Sequence, residues 1–146
     1  MHVKKTFRIC ALQLQNLYFA GMTENEISYI IRGCIFKVYN NLGPGLLESA
    51  YMAALFFEIS KMGLRIRSEV ALPMIYETVK VNIGYRLDLL AEDKVIIELK
   101  SVESVLPVHH KQLITYLKLS GFKLGLLVNF NCDAISKNIF RKVNGL

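Results

Sequence analysis

Asp88, Glu98 and Lys100 are spaced Asp-x9-Glu-x-Lys across two stretches that read as neighbouring β-strands, Val79–Leu90 and Val95–Lys100, joined by a polar turn at Ala91-Glu92-Asp93-Lys94. Val95, Ile96, Ile97 and Leu99 make the second strand largely apolar, so an acid and a lysine inside it are costly unless compensated. A hard divalent cation held by two carboxylates would compensate them, with the lysine beside the water that the cation activates. Side chains alternate along a strand, so Glu98 and Lys100 share a face, and a hairpin can bring Asp88 beside them. The competing assignment is structural: Asp88 begins a turn and Glu98 pairs with Lys100.

Two further segments extend the pattern. Pro107–Tyr116 reads as a helix with Gln112 and Tyr116 one turn apart on one face. Gly43-Pro44-Gly45 is a glycine turn feeding a helix that carries Glu48 and Tyr51. In this order the residues resemble the PD-(D/E)XK nuclease superfamily, in its RecB-like branch with a Gln-xxx-Tyr helix. Within that branch the chain is similar to the small bacterial GxxExxY proteins, whose motif is filled by Gly45, Glu48 and Tyr51. The resemblance covers residues 22–146. Two positions depart from the superfamily pattern in tolerated ways: Leu87 stands where the name-giving proline would be, and Glu98 takes the D/E position.

The resemblance implies a restriction-endonuclease-like α/β core, with helices packed on a small mixed sheet. It implies a metal-dependent nuclease that hydrolyses phosphodiester bonds, in DNA. Asp88 and Glu98 would hold Mg²⁺ or Mn²⁺ together with the Leu99 carbonyl. Oxygen ligands without a His/Cys cluster favour such a cation over zinc. Glu48 would approach the same ion directly or through water, although a solvent-facing helix glutamate fits its spacing nearly as well. Lys100 would orient the attacking water. Gln112 and Tyr116 would line the cleft, or else belong to an ordinary amphipathic helix. Tyr51 fits packing better than catalysis. His109 and His110, adjacent on a helix, point about 100° apart and cannot both face one ion. Arg86, beside Tyr85, could meet a phosphate or simply be an exposed strand arginine. The alternative function is a catalytically silent nucleic-acid- or protein-binding module on the same fold. No added recognition element is visible, so target choice would come from nucleic-acid shape or from a partner, whether a second copy or another protein.

Composition agrees with one well-filled domain. The chain has 146 residues, 53% of them hydrophobic, enough for one core. No apolar run approaches the roughly 18 residues that would suggest a membrane span. Cys10, Cys34 and Cys132 are odd in number and lack Cys-x-x-Cys spacing, which points away from a disulfide framework and toward a reducing cytoplasm. Net charge is +6; Lys4, Lys5 and Arg8 supply half of it, and the remaining 15 basic and 12 acidic residues leave a mild excess of +3. That excess permits nucleic-acid binding and equally fits a solvated surface.

Residues 1–21 read unlike the rest. Asn16-Leu17-Tyr18-Phe19-Ala20-Gly21 resembles a tag-removal protease site with Ala20 in place of glutamine. An expression leader and a start codon assigned too early are the two explanations. A signal peptide fits poorly, because Gln13 and Gln15 interrupt the apolar stretch. From Thr23 onward a capping box predicts a helix with Ile27, Ile30, Ile31, Cys34, Ile35 and Val38 on one face. A second helix is expected over Leu46–Met62, with Leu47, Tyr51, Ala54, Leu55 and Ile59 on its apolar side. A strand over Arg65–Val70, a bend at Pro73 and a turn at Tyr76-Glu77-Thr78 follow. After the two strands and the Pro107 helix comes a buried strand over Lys123–Asn129. Residues 133–143 fit a short helix or an edge strand. The expected order is α-α-β-β-β-α-β.

Overall fold

A computed structural model describes residues 2–146, with side chains from residue 11 onward. Lys4, Lys5, Arg8 and Cys10 therefore have no described side chains. Helix α1 spans His2–Ala20, α2 Glu24–Leu42, α3 Glu48–Lys61 and α4 Pro107–Ser120. The strands are β1 (Ile66–Ala71), β2 (Met74–Tyr76), β3 (Val79–Val81), β4 (Arg86–Ala91), β5 (Val95–Lys100), β6 (Leu124–Asn129) and β7 (Ile139–Val143), with a short 3₁₀ turn at Ile135–Lys137 before the last.

Five strands form one mixed sheet in the order β1-β4-β5-β6-β7. Only β5 and β6 run parallel, because α4 provides the long crossover that a parallel pair needs. The β4–β5 connection is tight: Lys94 N–H donates to the Ala91 carbonyl at 2.9 Å. Glu92 and Asp93, the central residues of that turn, both have φ of 51°, and with Lys94 they make a three-residue loop between the paired Ala91 and Val95. Arg65 and Arg67 pair with Asp93 across this turn.

The sheet carries a core on each face. On one side α2 and α3 pack Ile27, Ile31, Ile35, Tyr51, Leu55 and Ile59 against Leu89, Val95, Ile97, Leu99, Leu126 and Val128. On the other, Leu113, Tyr116 and Leu117 of α4 pack against Leu87, Leu90, Ile96 and Leu127. The capping box at the start of α2 forms as expected: Glu26 N–H donates to Thr23 Oγ1 at 3.3 Å, and Thr23 N–H donates to Glu26 Oε2 at 2.7 Å. Helix α1 meets the body through Phe19, its one buried side chain among residues 11–20, and Lys94 Nζ donates to the Ala20 and Met22 carbonyls where α1 gives way to α2.

Several expectations need correction. Leu47 does not face the core; it is 76% exposed, because α3 begins one residue later. The stretch Val79–Leu90 is not continuous: residues 82–85 break it, and β3 turns back to pair with β2 in a separate hairpin. Gly84 in that break gives no side chain for a strand to pack. Residues 133–143 contain both structures that they fit, the 3₁₀ turn and then β7.

Gly125 shows how closely α4 sits on the sheet. A Cβ there would lie 2.7 Å from Leu113 Cδ1 and 3.1 Å from Cγ, and Leu113 is fully buried. Gly125→Ala should destabilise the protein by about 1–3 kcal/mol through this overpacking, measured as a lower urea midpoint at unchanged m-value.

Candidate active site

The β4–β5 ladder runs from Ala91/Val95 to Leu89/Ile97 and has no further pair beyond it. At the next step the side chains of Asp88 and Glu98 replace the ladder. Leu99 N–H donates to Asp88 Oδ2 at 2.8 Å, and Asp88 N–H donates to Glu98 Oε1 at 3.2 Å. Each carboxylate thus satisfies a backbone donor on the neighbouring strand, in a place where an unpaired donor would be costly. The strands are held in a fork with both acids inside it.

Glu98 is 3% exposed. Burial first, and then the nearby Asp88 carboxylate, push its pKa up to about 8. Burial also raises Asp88, opposed by the Leu99 N–H and by Lys100. The two carboxyl groups lie within hydrogen-bonding reach of one another, an arrangement that favours one shared proton over two charges. Lys100 interacts electrostatically with Asp88, Glu98 and Glu48. It forms no ion pair among the described residues, so the salt bridge to Glu98 that a purely structural role would use is not made.

Glu48 occupies the first turn of α3. Burial raises its pKa most; Lys100 and the Ser101 backbone N–H oppose this, and Asp88 adds to it. The loop before it explains the local sequence. Gly43 and Gly45 have φ of 65° and 101°, conformations that glycine adopts without strain. Tyr51 fixes that loop: its hydroxyl donates to the Gly43 carbonyl at 2.5 Å and accepts from Leu46 N–H at 3.1 Å. Its ring is fully buried and stacks on Phe130 with centroids 4.4 Å apart. Ser101 Oγ then donates to the Leu46 carbonyl at 2.6 Å, tying the end of β5 to the same loop. Tyr51 therefore fixes the loop from which α3, with Glu48 in its first turn, begins.

From α4, Gln112 Nε2 donates to the Tyr116 hydroxyl at 2.8 Å. Tyr116 is 5% exposed; burial raises its pKa most, and the charges of Glu98 and Asp88 add to the rise. It stands near the carboxylate pair on the α4 side. Tyr85 leans on it, with ring centroids 5.9 Å apart. His109 turns to its own helix end, where its Nδ1 accepts from Leu106 N–H at 3.0 Å. His110 packs edge-on against Phe140. Neither histidine joins the carboxylates.

One acid near the site drew no attention as a site residue. Glu69 lies between Ser68↔Leu89 and Val70↔Leu87 in the β1–β4 register, opposite Asp88, yet is itself unpaired. Its φ is 50°, a strained value for a non-glycine residue within a strand. Its charge raises Asp88 further. The alternating Arg65–Val70 pattern marked it only as part of a wet strand face.

The donor set is oxygen throughout and fits a hard divalent cation. Asp88 and Glu98 form the close pair. Among the described residues no third His, Cys, Asp or Glu side chain groups with them closely enough to make a three-ligand cluster.

A family model described as the PD-(D/E)XK nuclease superfamily matches residues 25–142. The chain belongs to this superfamily. No curated protein and no solved structure matches it. The PD-(D/E)XK match takes in α2 through most of β7 and leaves α1 outside. The mixed sheet flanked by helices is the expected restriction-endonuclease-like fold. No helix among the described residues is long and apolar enough to cross a membrane.

The raised Glu98 pKa sets a pH dependence. In metal-free protein, Glu98 keeps its proton up to about pH 8 when folded, whereas an unfolded glutamate loses it near pH 4.3. The folded state binds more protons in that window, so stability is greatest at its acid end and falls as pH rises, with a slope approaching about 1.4 kcal/mol per pH unit. Thermal melts in EDTA should show the melting temperature falling from pH 5 to pH 8. Asp88→Asn removes the neighbouring charge and should flatten that slope.

Proposed function

We propose that the protein is a metal-dependent nuclease of the RecB-like, GxxExxY kind that hydrolyses phosphodiester bonds in DNA. The observation that carries this is the buried Asp88–Glu98 pair with an unpaired Lys100 beside it, on the edge of a fork between two strands. Asp88, Glu98 and the Leu99 carbonyl would hold Mg²⁺ or Mn²⁺, and Glu48 would reach it through water. When bound, such an ion supplies Lewis acidity toward the scissile phosphate and makes water a nucleophile near neutral pH.

The chain's own groups do the rest. Lys100, free of an ion pair, directs the attacking water and offsets negative charge that develops on the phosphate. Glu98, which holds a proton near neutral pH in the metal-free protein, would lose it to solvent on binding a cation, so that both carboxylates would be ionised. Gln112 and Tyr116, bonded to each other, close the α4 side and keep Glu98 in a dry environment. Tyr51 fixes the Gly43–Leu46 loop and so the approach of Glu48. A cytoplasmic setting suits the two described free cysteines, Cys34 and Cys132.

The second function, a catalytically silent binding module on the same fold, is favoured by the lack, among the described residues, of a cluster of three candidate metal ligands. Cleavage assays separate the two. With Mn²⁺ and labelled DNA, Lys100→Ala should lower the cleavage rate at least about 100-fold, and Asp88→Asn should do the same while also weakening Mn²⁺ binding in calorimetry, because a neutral amide replaces an anionic ligand. Lys100→Ala should bind Mn²⁺ as tightly as wild type or more so, since a nearby positive charge is gone. Unchanged cleavage in either variant contradicts the nuclease assignment, and a wild-type protein that cuts nothing and binds no Mn²⁺ leaves the binding module.

A further inference from the structure

The β2–β3 hairpin stands apart from the five-stranded sheet. Ile75, Tyr76 and Val79 on it are 67%, 64% and 61% exposed. A two-stranded hairpin is marginal in water by itself, and an apolar ribbon exposed at the rim of a site marks a binding surface. The loop that returns from β3 to β4, with Leu72 and Pro73, encloses a pocket of about 250 Å³ that Lys80, Tyr85 and Arg86 help to line. Tyr85 connects this pocket to the carboxylates: its ring leans on Tyr116, and Tyr116 is close enough to Asp88 and Glu98 to feel both charges. Arg86 lies two residues before Asp88 in β4.

We propose that this pocket takes one unpaired nucleotide of a single-stranded nucleic acid, its base against Tyr85 and its flanking phosphates at Lys80 and Arg86. The proposal rests on the nuclease reading and names the substrate form for that site. Tyr85 is supported on one side by Tyr116 and is 36% exposed, so part of its ring remains for a base; stacking of this kind is worth about 1–3 kcal/mol per base. Duplex DNA keeps its base faces stacked internally and cannot use such a platform. Between Pro73 and Arg86 there are two cations and one acid, Glu77, the charge balance that a phosphodiester backbone needs. A partner protein would explain the apolar ribbon but not two cations lining a pocket next to the carboxylates.

The test uses the full chain in EDTA, so that binding is read without cleavage. Labelled oligonucleotides of about 12 residues, oligo-dT, oligo-rU and a blunt duplex, are titrated by fluorescence anisotropy. Both single strands should bind at least tenfold tighter than the duplex, and a preference between dT and rU identifies the sugar. Tyr85→Ala should weaken single-strand binding about 5- to 150-fold, while Tyr29→Ala, on α2, changes nothing. The chain has no tryptophan, so Tyr85→Trp introduces its one tryptophan, which can be excited apart from the tyrosines; it should retain affinity and be quenched by oligo-dT even if the alanine variant folds poorly. Lys80→Ala should reduce the slope of log K against log salt by about 0.7. Equal affinity for duplex and single strand, an unquenched Tyr85→Trp, or a hairpin-dependent dimer that binds no oligonucleotide would each overturn the proposal. Cleavage by wild type in Mn²⁺ with no effect of Tyr85→Ala on binding would overturn this inference alone. Stacking without any cleavage would remove the nuclease reading and leave the single-strand site.

Discussion

The fork between β4 and β5 is the constraint on which the site depends. Two strands that pair regularly up to Leu89 and Ile97 separate at the next residue, and carboxylates fill the gap. Backbone donors left by a broken ladder must find acceptors. Asp88 and Glu98 supply them, so the acids that would do chemistry also hold the strands in the geometry that exposes them. Removing either acid would therefore affect both the fork and the site, which is why neutral isosteres, rather than truncations, are the informative substitutions.

The surrounding elements follow from the need to close this fork. Buried Glu98 sits beside Asp88 in surroundings that favour one charge rather than two, and the protein meets that by leaving a proton on Glu98 near neutral pH. Tyr116 and Gln112 shield one side. On the other, Tyr51 is spent on the glycine loop and not on substrate, which places the start of α3, and with it Glu48, near Lys100. Glu69 adds a strained backbone and a further negative charge opposite Asp88. Strain and like charge are thus concentrated around one point, in a sheet that is otherwise regular.

How much of this was legible in the sequence depended on the range of the interaction. Asp88, Glu98 and Lys100 stand out because charge interrupts an apolar strand, and period-two alternation is a local property. The capping box at Thr23 and Glu26 is local too. Tyr51 reads as packing, which is correct for its ring; its hydroxyl bonds to Gly43 and Leu46 depend on the loop folding back, and spacing alone does not encode that. The β2–β3 hairpin was hidden because Val79–Val81 and Arg86–Ala91 look like one strand with a glycine in it, and only the competing pairing with β2 shows that the chain turns away. Glu69 looked like any exposed strand glutamate, since a positive φ leaves no trace in residue type. Leu47 fits the helical period, but the Gly43–Leu46 loop lets the helix begin only at Glu48, so Leu47 stays outside it and exposed.

The most direct test of the central claim is the count of protons released when the carboxylate pair takes a cation. Mn²⁺ is titrated into metal-free protein at pH 7 by calorimetry in buffers of different ionisation enthalpy. Because Glu98 titrates at about 8, the pair should release close to one proton per ion bound at pH 7, and the release should vanish above about pH 9. Mn²⁺ binding with no proton release at pH 7, or the same release in Glu98→Gln as in wild type, would contradict the account.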